Sequence, residues 1–343
     1  FIDVFYIMNI AEGSPWRKHL FEEYQSAISM MGFSGIHMDT YGFPKTAYSH
    51  LDAIPKKIKL EDELPTLIDE TRENVHGEEE PYLIFNNVGA WPVQRTADRK
   101  QDAVYIEVWP PYDRYASIAQ LIRDARTYAK DDKSTILAAY LKPFREGKRE
   151  KALPAAKLLM GSIVSNGATH LLTGENQTAL TQGYYSDYTK FSDSEAEAIR
   201  RYYDYMIRYE NLFFDPELQD VTMTHTGWDN YEYQCTSHKV SSYGEAGKIW
   251  MILREKDYRK CIYLLNLCGQ SEDYWNEGKE EPNIQKDIKF TVQVDTPVEK
   301  ICFSTPDGEN MDAIELSFTE RATKTGKFID FTVPSLNYWT TIW

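Results

Sequence analysis

Over residues 1–215 the chain alternates short apolar runs with longer stretches whose apolar side chains recur every three or four positions. That alternation marks βα units on a parallel sheet. The apolar runs predict strands at residues 3–9, 34–39, 82–86, 103–108, 135–141 and 170–173. Between them, Ser14-Pro15 reads as a cap and first helical turn, opening a helix to Met31. Ile118, Leu121, Ile122, Ala125 and Ala129 form one stripe at helical spacing. Pro154 opens another helix, which Asn166-Gly167 closes. Residues 193–209 carry a fourth, with Ile199, Tyr202, Tyr203, Met206 and Ile207 on its apolar face. Residues 51–80 are highly charged, with Glu61-Asp62-Glu63 and Glu78-Glu79-Glu80. They read as a solvated connection or as part of a cleft rim.

From residue 216 the helical period disappears. Short runs at 248–254, 260–267, 287–294, 299–304, 313–318, 328–333 and 338–343 alternate partially between Gly, Pro, Asn and Asp. They predict an antiparallel β-sandwich. A closed (β/α)8 TIM barrel needs eight strands in about 250 residues. Residues 1–215 supply only six such runs. The expectation is an α/β TIM barrel present as strands 3–8 over residues 1–215, followed by a C-terminal β-domain over residues 216–343. The first two strands would then lie upstream. An open doubly wound sheet is the alternative, weakened because no Gly-rich phosphate loop follows any strand.

The chain has 343 residues, 42% hydrophobic and 27% charged, enough for a large core and a second domain. A net charge of −15 argues against nucleic acid or an anionic membrane as partner, and leaves neutral sugar polymers open. No run approaches the roughly 20 apolar residues of a membrane span. The chain opens on Phe1 in mid-strand without an initiator Met, so a missing N-terminal segment is expected. Aromatics make up 14% of residues, and flat rings with polar tips suit pyranoses as well as cores. Cys235, Cys261, Cys268 and Cys302 are compatible with free thiols or with disulfides.

Two segments carry the candidate chemistry: GFSGIHMDTYG at 32–42 and DAVYIEVWPP at 102–111. Each is an apolar run ending in one carboxylate. An acid at the C-terminal end of a barrel strand stands at the active-site mouth, and a pair of them is what glycosidic-bond cleavage requires. Asp39 could instead cap a turn, but Gly35 and Gly42 flank it and permit close approach of backbone or ligand. Glu107 sits among Ala103, Val104, Tyr105, Ile106, Val108 and Trp109, where an unpaired charge is costly. Such walls favour the protonated carboxyl that a general acid needs. A structural Glu–Arg pair is the alternative.

Around the two acids, His37 shares the Asp39 side of its strand and points inward, as a core group or as a substrate contact. Asn86 and Asn87 end the next strand and can hydrogen-bond sugar hydroxyls or shape a turn. Tyr41, Trp91 and Trp109 can stack on sugars or pack in the core. Lys142 and Glu175 close the last two strands and are placed along the cleft. No spacing suggests a metal site, and no cofactor is implied.

Gly32-Phe33-Ser34-Gly35 ahead of Asp39-Thr40, then Asn86-Asn87-Val88-Gly89, then Asp102, Tyr105, Glu107 and Trp109, together resemble glycoside hydrolase family 66. This family comprises bacterial endo-dextranases and cycloisomaltooligosaccharide glucanotransferases. The resemblance implies that residues 1–215 are the later part of its catalytic barrel, after an immunoglobulin-like domain and two strands. It implies retaining attack on α-1,6-glucan (dextran, isomaltooligosaccharides), with Asp39 as the nucleophile and Glu107 as the acid/base. Asp39 is then expected to be ionised and Glu107 protonated, with the carboxyls about 5–5.5 Å apart rather than the 6.5–9.5 Å of inverting enzymes. Dextran is too large to enter a cell, so an extracellular or periplasmic bacterial location follows.

Cyclising members carry a module inserted late in the barrel. Only a helix-sized segment stands there in this chain, so internal hydrolysis is the first expectation. Transglycosylation to cyclic products and non-catalytic glucan binding are the alternatives. Without its upstream segment the chain is expected to have little activity.

Overall fold

In a computed structural model describing residues 6–130, 133–183, 189–227 and 229–343, the Ser14 side chain accepts the Arg17 N–H and Pro15 follows it. Helix α1 (Pro15–Met31) therefore starts directly after its cap. Gly32, at φ 71°, ends it by returning its N–H to the Ile28 carbonyl. There follow β1 (Gly35–Met38), β2 (Thr46–Ser49), β3 (Lys56–Lys59), α2 (Leu60–Asn74), β4 (Tyr82–Val88), α3 (Val93–Thr96), β5 (Ala103–Glu107), α4 (Tyr115–Ala129) and β6 (Ser134–Ala138). Contacts divide the chain into two units, residues 1–110 with 123–138, and residues 111–122 with 139–343.

In the first unit β1, β4, β5 and β6 run parallel, side by side in that order. Among the described residues β1 pairs only with β4. Met38, Leu83 and Phe85 turn to one side of the sheet and pack on Leu64, Leu67 and Ile68 of α2. By alternation, His37, Asp39, Asn86, Tyr105 and Glu107 belong to the other side. The glycine of β1 serves the sheet rather than a ligand, since a Cβ on Gly35 would stand 2.4 Å from the Tyr82 carbonyl oxygen.

Several expected boundaries move. Residues 1–5 lie outside the described residues, and Tyr6–Asn9 form no strand; the Asn9 amide instead donates to the Ser49 hydroxyl. The charged stretch 51–80 is no open loop. It holds the second strand of the β2–β3 hairpin and the amphipathic helix α2. The run 135–141 shortens to β6, and 170–173 separates into β7 (Thr169–His170) and β8 (Thr173–Gly174).

In the second unit β8 pairs with β9 (Thr178–Ala179), and α5 (Ala152–Ser165), α6 (Asp193–Arg208) and α7 (Glu210–Phe213) precede the strands. After β10 (Gln219–Asp220) and α8 (Thr222–His225) come β11 (Tyr233–Cys235), β12 (Val240–Ser241), β13 (Ile249–Lys256), β14 (Arg259–Asn266), β15 (Gln285–Val294), β16 (Ile301–Ser304), β17 (Ile314–Leu316), β18 (Phe318–Thr323), β19 (Gly326–Leu336) and β20 (Trp339–Ile342). One sheet has the order β10-β13-β14-β20-β16-β17 with β12 beside β13; the other is β11-β15-β19-β18. Met251, Leu253, Ile262 and Leu264 of the first sheet share a core with Phe290, Val292, Phe331 and Val333 of the second, as in a sandwich. The expected run 313–318 changes sheets at Ser317, between β17 and β18. The four cysteines are free thiols. No described helix is long and apolar enough to cross a membrane.

Candidate active site

Parallel register sets the site. His37 is level with Ile84, Phe85 with Val104, and Asn86 with Tyr105, while Val88 is level with Glu107. Asp39 stands one residue beyond β1, and Glu107 is the last residue of β5. Between them Asn86 presents its amide. Its Nδ2 donates to Asp39 Oδ1 at 2.7 Å and to Glu107 Oε2 at 3.4 Å. One nitrogen bonded to both keeps these two oxygens no more than about 6 Å apart, a spacing that accommodates the retaining distance. Asp39 Oδ1 also accepts the Thr40 N–H at 2.9 Å, and the Thr40 hydroxyl donates to the Asn86 carbonyl at 3.3 Å.

Asp39 is exposed and Glu107 is 9% exposed. Among the described residues neither carboxylate enters an ion pair. A structural Glu–Arg pair therefore does not account for Glu107. Deeper on the same face the His37 imidazole leans on the Tyr105 ring, with centroids 4.6 Å apart. Crowding by neighbouring atoms lowers the His37 pKa, against the opposing pull of Asp39 and Glu107. Its outer edge remains exposed. Burial, helped by the Asp39 charge, raises the Tyr24 phenol of α1 to about 12. Tyr24, which the sequence did not point to, and Tyr105, named there only as a wall and motif residue, are neighbours of the acids. For Tyr105 a signal existed: it precedes Glu107 by two residues and shares its face.

Other candidates are placed differently. Asn87 is fully buried on the opposite side of β4. Its Nδ2 donates to the Phe85 and Tyr105 carbonyls and its Oδ1 accepts the Thr96 hydroxyl, so the amide is engaged within the fold and out of a sugar's reach. Trp91 packs against the Met38–Phe85 core and carries the Lys45 ammonium 3.5 Å over its ring. That occupied face is no stacking platform. Tyr41 and Trp109 are partly exposed, at 37% and 38%. Lys142 and Glu175 belong to the second unit. There Lys142 pairs with Glu277 at 2.6 Å, and Glu175 is exposed on a 3-10 turn. Among the described residues no three His, Cys, Asp or Glu side chains converge on a metal site.

Two carboxylates joined by one donor at the C-terminal edge of a parallel sheet have the form that glycosidic-bond cleavage requires. The profile of Glycosyl hydrolase family 66 matches residues 1–343, and the chain belongs to that family. A cycloisomaltooligosaccharide glucanotransferase of Niallia circulans is 28% identical over 192 residues, 55% of this chain and 19% of that protein. A second from the same organism is 26% identical over 190 residues, with 54% and 19% covered. The crystal structure of a cycloisomaltooligosaccharide glucanotransferase from Paenibacillus sp., complexed with cycloisomaltoheptaose, aligns with a TM-score of 0.87 at 16% identity. That alignment covers 98% of this chain and 66% of the other, and is a likeness of fold. The chain spans about a fifth of the length of the curated relatives it matches.

Proposed function

We propose that the protein cleaves internal α-1,6-glucosidic bonds of dextran-like glucans with net retention, through a covalent glucosyl-enzyme. The observation that carries this reading is the shared Asn86 donor, which keeps the Asp39 and Glu107 oxygens within about 6 Å. Asp39 attacks the anomeric carbon as the glycosidic C–O bond breaks, and protonated Glu107 gives its proton to the departing oxygen. Glu107 then takes a proton from water, whose oxygen attacks the same carbon and releases Asp39. Tyr41 and Trp109 offer exposed rings to flanking glucosyl units, and His37 offers a polar edge beside the acids. We read the parallel sheet as an arc of a (β/α)8 barrel, whose strand ends gather catalytic groups. A polymeric substrate places the enzyme outside the bacterial cytoplasm.

Water is the acceptor in this reading because residues 139–168, between β6 and β7, hold only α5 and two 3-10 turns. Transfer to a sugar hydroxyl, giving cyclic products, is the second reading, favoured by the names of the matched relatives. The test is to digest dextran with the full-length protein, following the first-formed anomer by proton NMR and the products by mass spectrometry. Linear isomaltooligosaccharides released as the α-anomer are expected. Mainly cyclic products would select transfer, and a first-formed β-anomer or no turnover would overturn the retaining reading.

A further inference from the structure

Asn86 and Asn87 are adjacent and both buried, yet their hydrogen-bond accounts differ. Asn87 satisfies both ends of its amide within the fold. Asn86 turns its NH2 to two carboxylates and leaves Oδ1 buried with no partner among the described residues. A purely structural amide has no reason to accept that cost. The opposite orientation would set a carbonyl oxygen against two carboxylates, so the arrangement follows from the acids it faces.

We infer that Asn86 is a positioning residue that fixes the spacing of Asp39 and Glu107 and moderates their mutual repulsion through its two N–H groups. The inference rests on the retaining reading and goes beyond a sugar contact. An sp2 nitrogen directs its two N–H bonds about 120° apart, which suits oxygens about 5 Å from one another. The same donors favour the ionised form of either acid, so their loss acts on both. Groups near the pair among the described residues include His37 and Thr40 beside Asp39, Tyr105 on β5, and Tyr24 on α1. With its pKa lowered, His37 is neutral at near-neutral pH, and the raised Tyr24 phenol also stays neutral.

The test uses the full-length protein with Asn86→Ala and the isosteric Asn86→Asp, each checked by thermal unfolding. Displacement of a reacting group by about 1 Å costs on the order of 10²-fold in rate. For Asn86→Ala we expect that loss in kcat with KM changed less than about threefold, and both limbs of the kcat/KM profile displaced to higher pH. Asn86→Asp, which has no N–H and adds a charge, should lose at least as much. A folded variant with unmoved limbs and only a raised KM would make Asn86 a sugar contact and overturn the inference, while wild-type retention would leave the parent reading intact.

A second measurement needs no variant. The Asn86 side-chain NH2 signals of selectively 15N-labelled wild-type protein should follow two titrations. Signals responding to one carboxylate alone would equally sink the proposal.

Discussion

For single residues, the proposed mechanism asks different things of Asp39 and Glu107, and substrates can separate them. A glucan leaving group needs a proton, whereas fluoride leaves without one. Glu107→Gln should therefore lose about 10²–10⁴-fold on dextran and far less on α-isomaltosyl fluoride in the first, glycosylating step. Asp39→Asn should lose both, because no covalent ester can form. Pre-steady-state fluoride release checks this, and equal losses for the two variants on the fluoride would reverse or dissolve the assignment. The strand-end placement of Asp39 and Glu107 was legible in the sequence because each ends a short apolar run. Grouping Asn87 with Asn86 as a sugar contact is a misreading that strand alternation could have prevented, since Leu83, Phe85 and Asn87 fall on one side of β4. The double donation by Asn86 was not legible there. It depends on the pairing of β1, β4 and β5, which no local spacing records. Nor could Trp91 be judged without Lys45, forty-six positions earlier in the chain, lying over its ring.

For whole elements, charge hid a helix and burial shortened a strand. Leu60, Leu64, Leu67, Ile68 and Thr71 of α2 keep helical spacing, but Glu61-Asp62-Glu63 between the first two drew attention to solvent. Part of that acid is used: the buried Arg17 guanidinium of α1 pairs with the Glu63 carboxylate at 3.4 Å and, further along α2, with Glu70 at 2.9 Å. β7 ends at His170, whose Nε2 bonds the Ala139 carbonyl at 3.0 Å while its own carbonyl accepts the Tyr203 hydroxyl at 3.0 Å. Burial depresses the His170 pKa to about 4, against the hydrogen bond to Ala139. The unfolded chain takes this proton near pH 6.5 and the folded chain only near 4, so stability falls as pH drops through that window. At about 1.4 kcal/mol per pH unit, acidification from pH 7.5 to 5 should cost the wild type about 2 kcal/mol through this residue. His170→Gln removes that contribution whatever its own effect at pH 7.5. Urea unfolding at the two pH values measures the difference, and parallel losses in wild type and variant would show that His170 does not govern the slope.

For the whole molecule, the change from helical to strand period at residue 216 and the division into units do not coincide, because α5, α6 and α7 belong to the unit of the sandwich. The reason lies on the outer face of its larger sheet. A Cβ on Gly161 of α5 would stand 2.7 Å from Leu265 and 3.1 Å from Trp339. The Trp339 ring meets Tyr205 of α6 edge-on at 5.0 Å and Phe213 of α7 at 5.1 Å. Asp307 accepts the Tyr202 hydroxyl at 2.7 Å together with the Tyr338 and Trp339 N–H groups at 3.0 Å. The guanidinium of Arg254, buried under the same layer, bonds the Phe213 carbonyl at 2.6 Å. None of this is visible in hydrophobic periodicity, which reports each element's own faces and not what covers them. A fragment of residues 216–343 would keep every sandwich strand yet expose Trp339 and Tyr263, and would take the Phe213 carbonyl from Arg254 and the Tyr202 hydroxyl from Asp307, and buried polar groups that lose partners are costly. It should therefore show no sharp thermal transition, with red-shifted tryptophan emission and dye binding, while the full-length protein unfolds this unit in one step. A fragment that melts sharply with native-like emission would show that the sandwich folds without its helical layer, and that the aromatic contacts around Trp339 follow its folding rather than enable it.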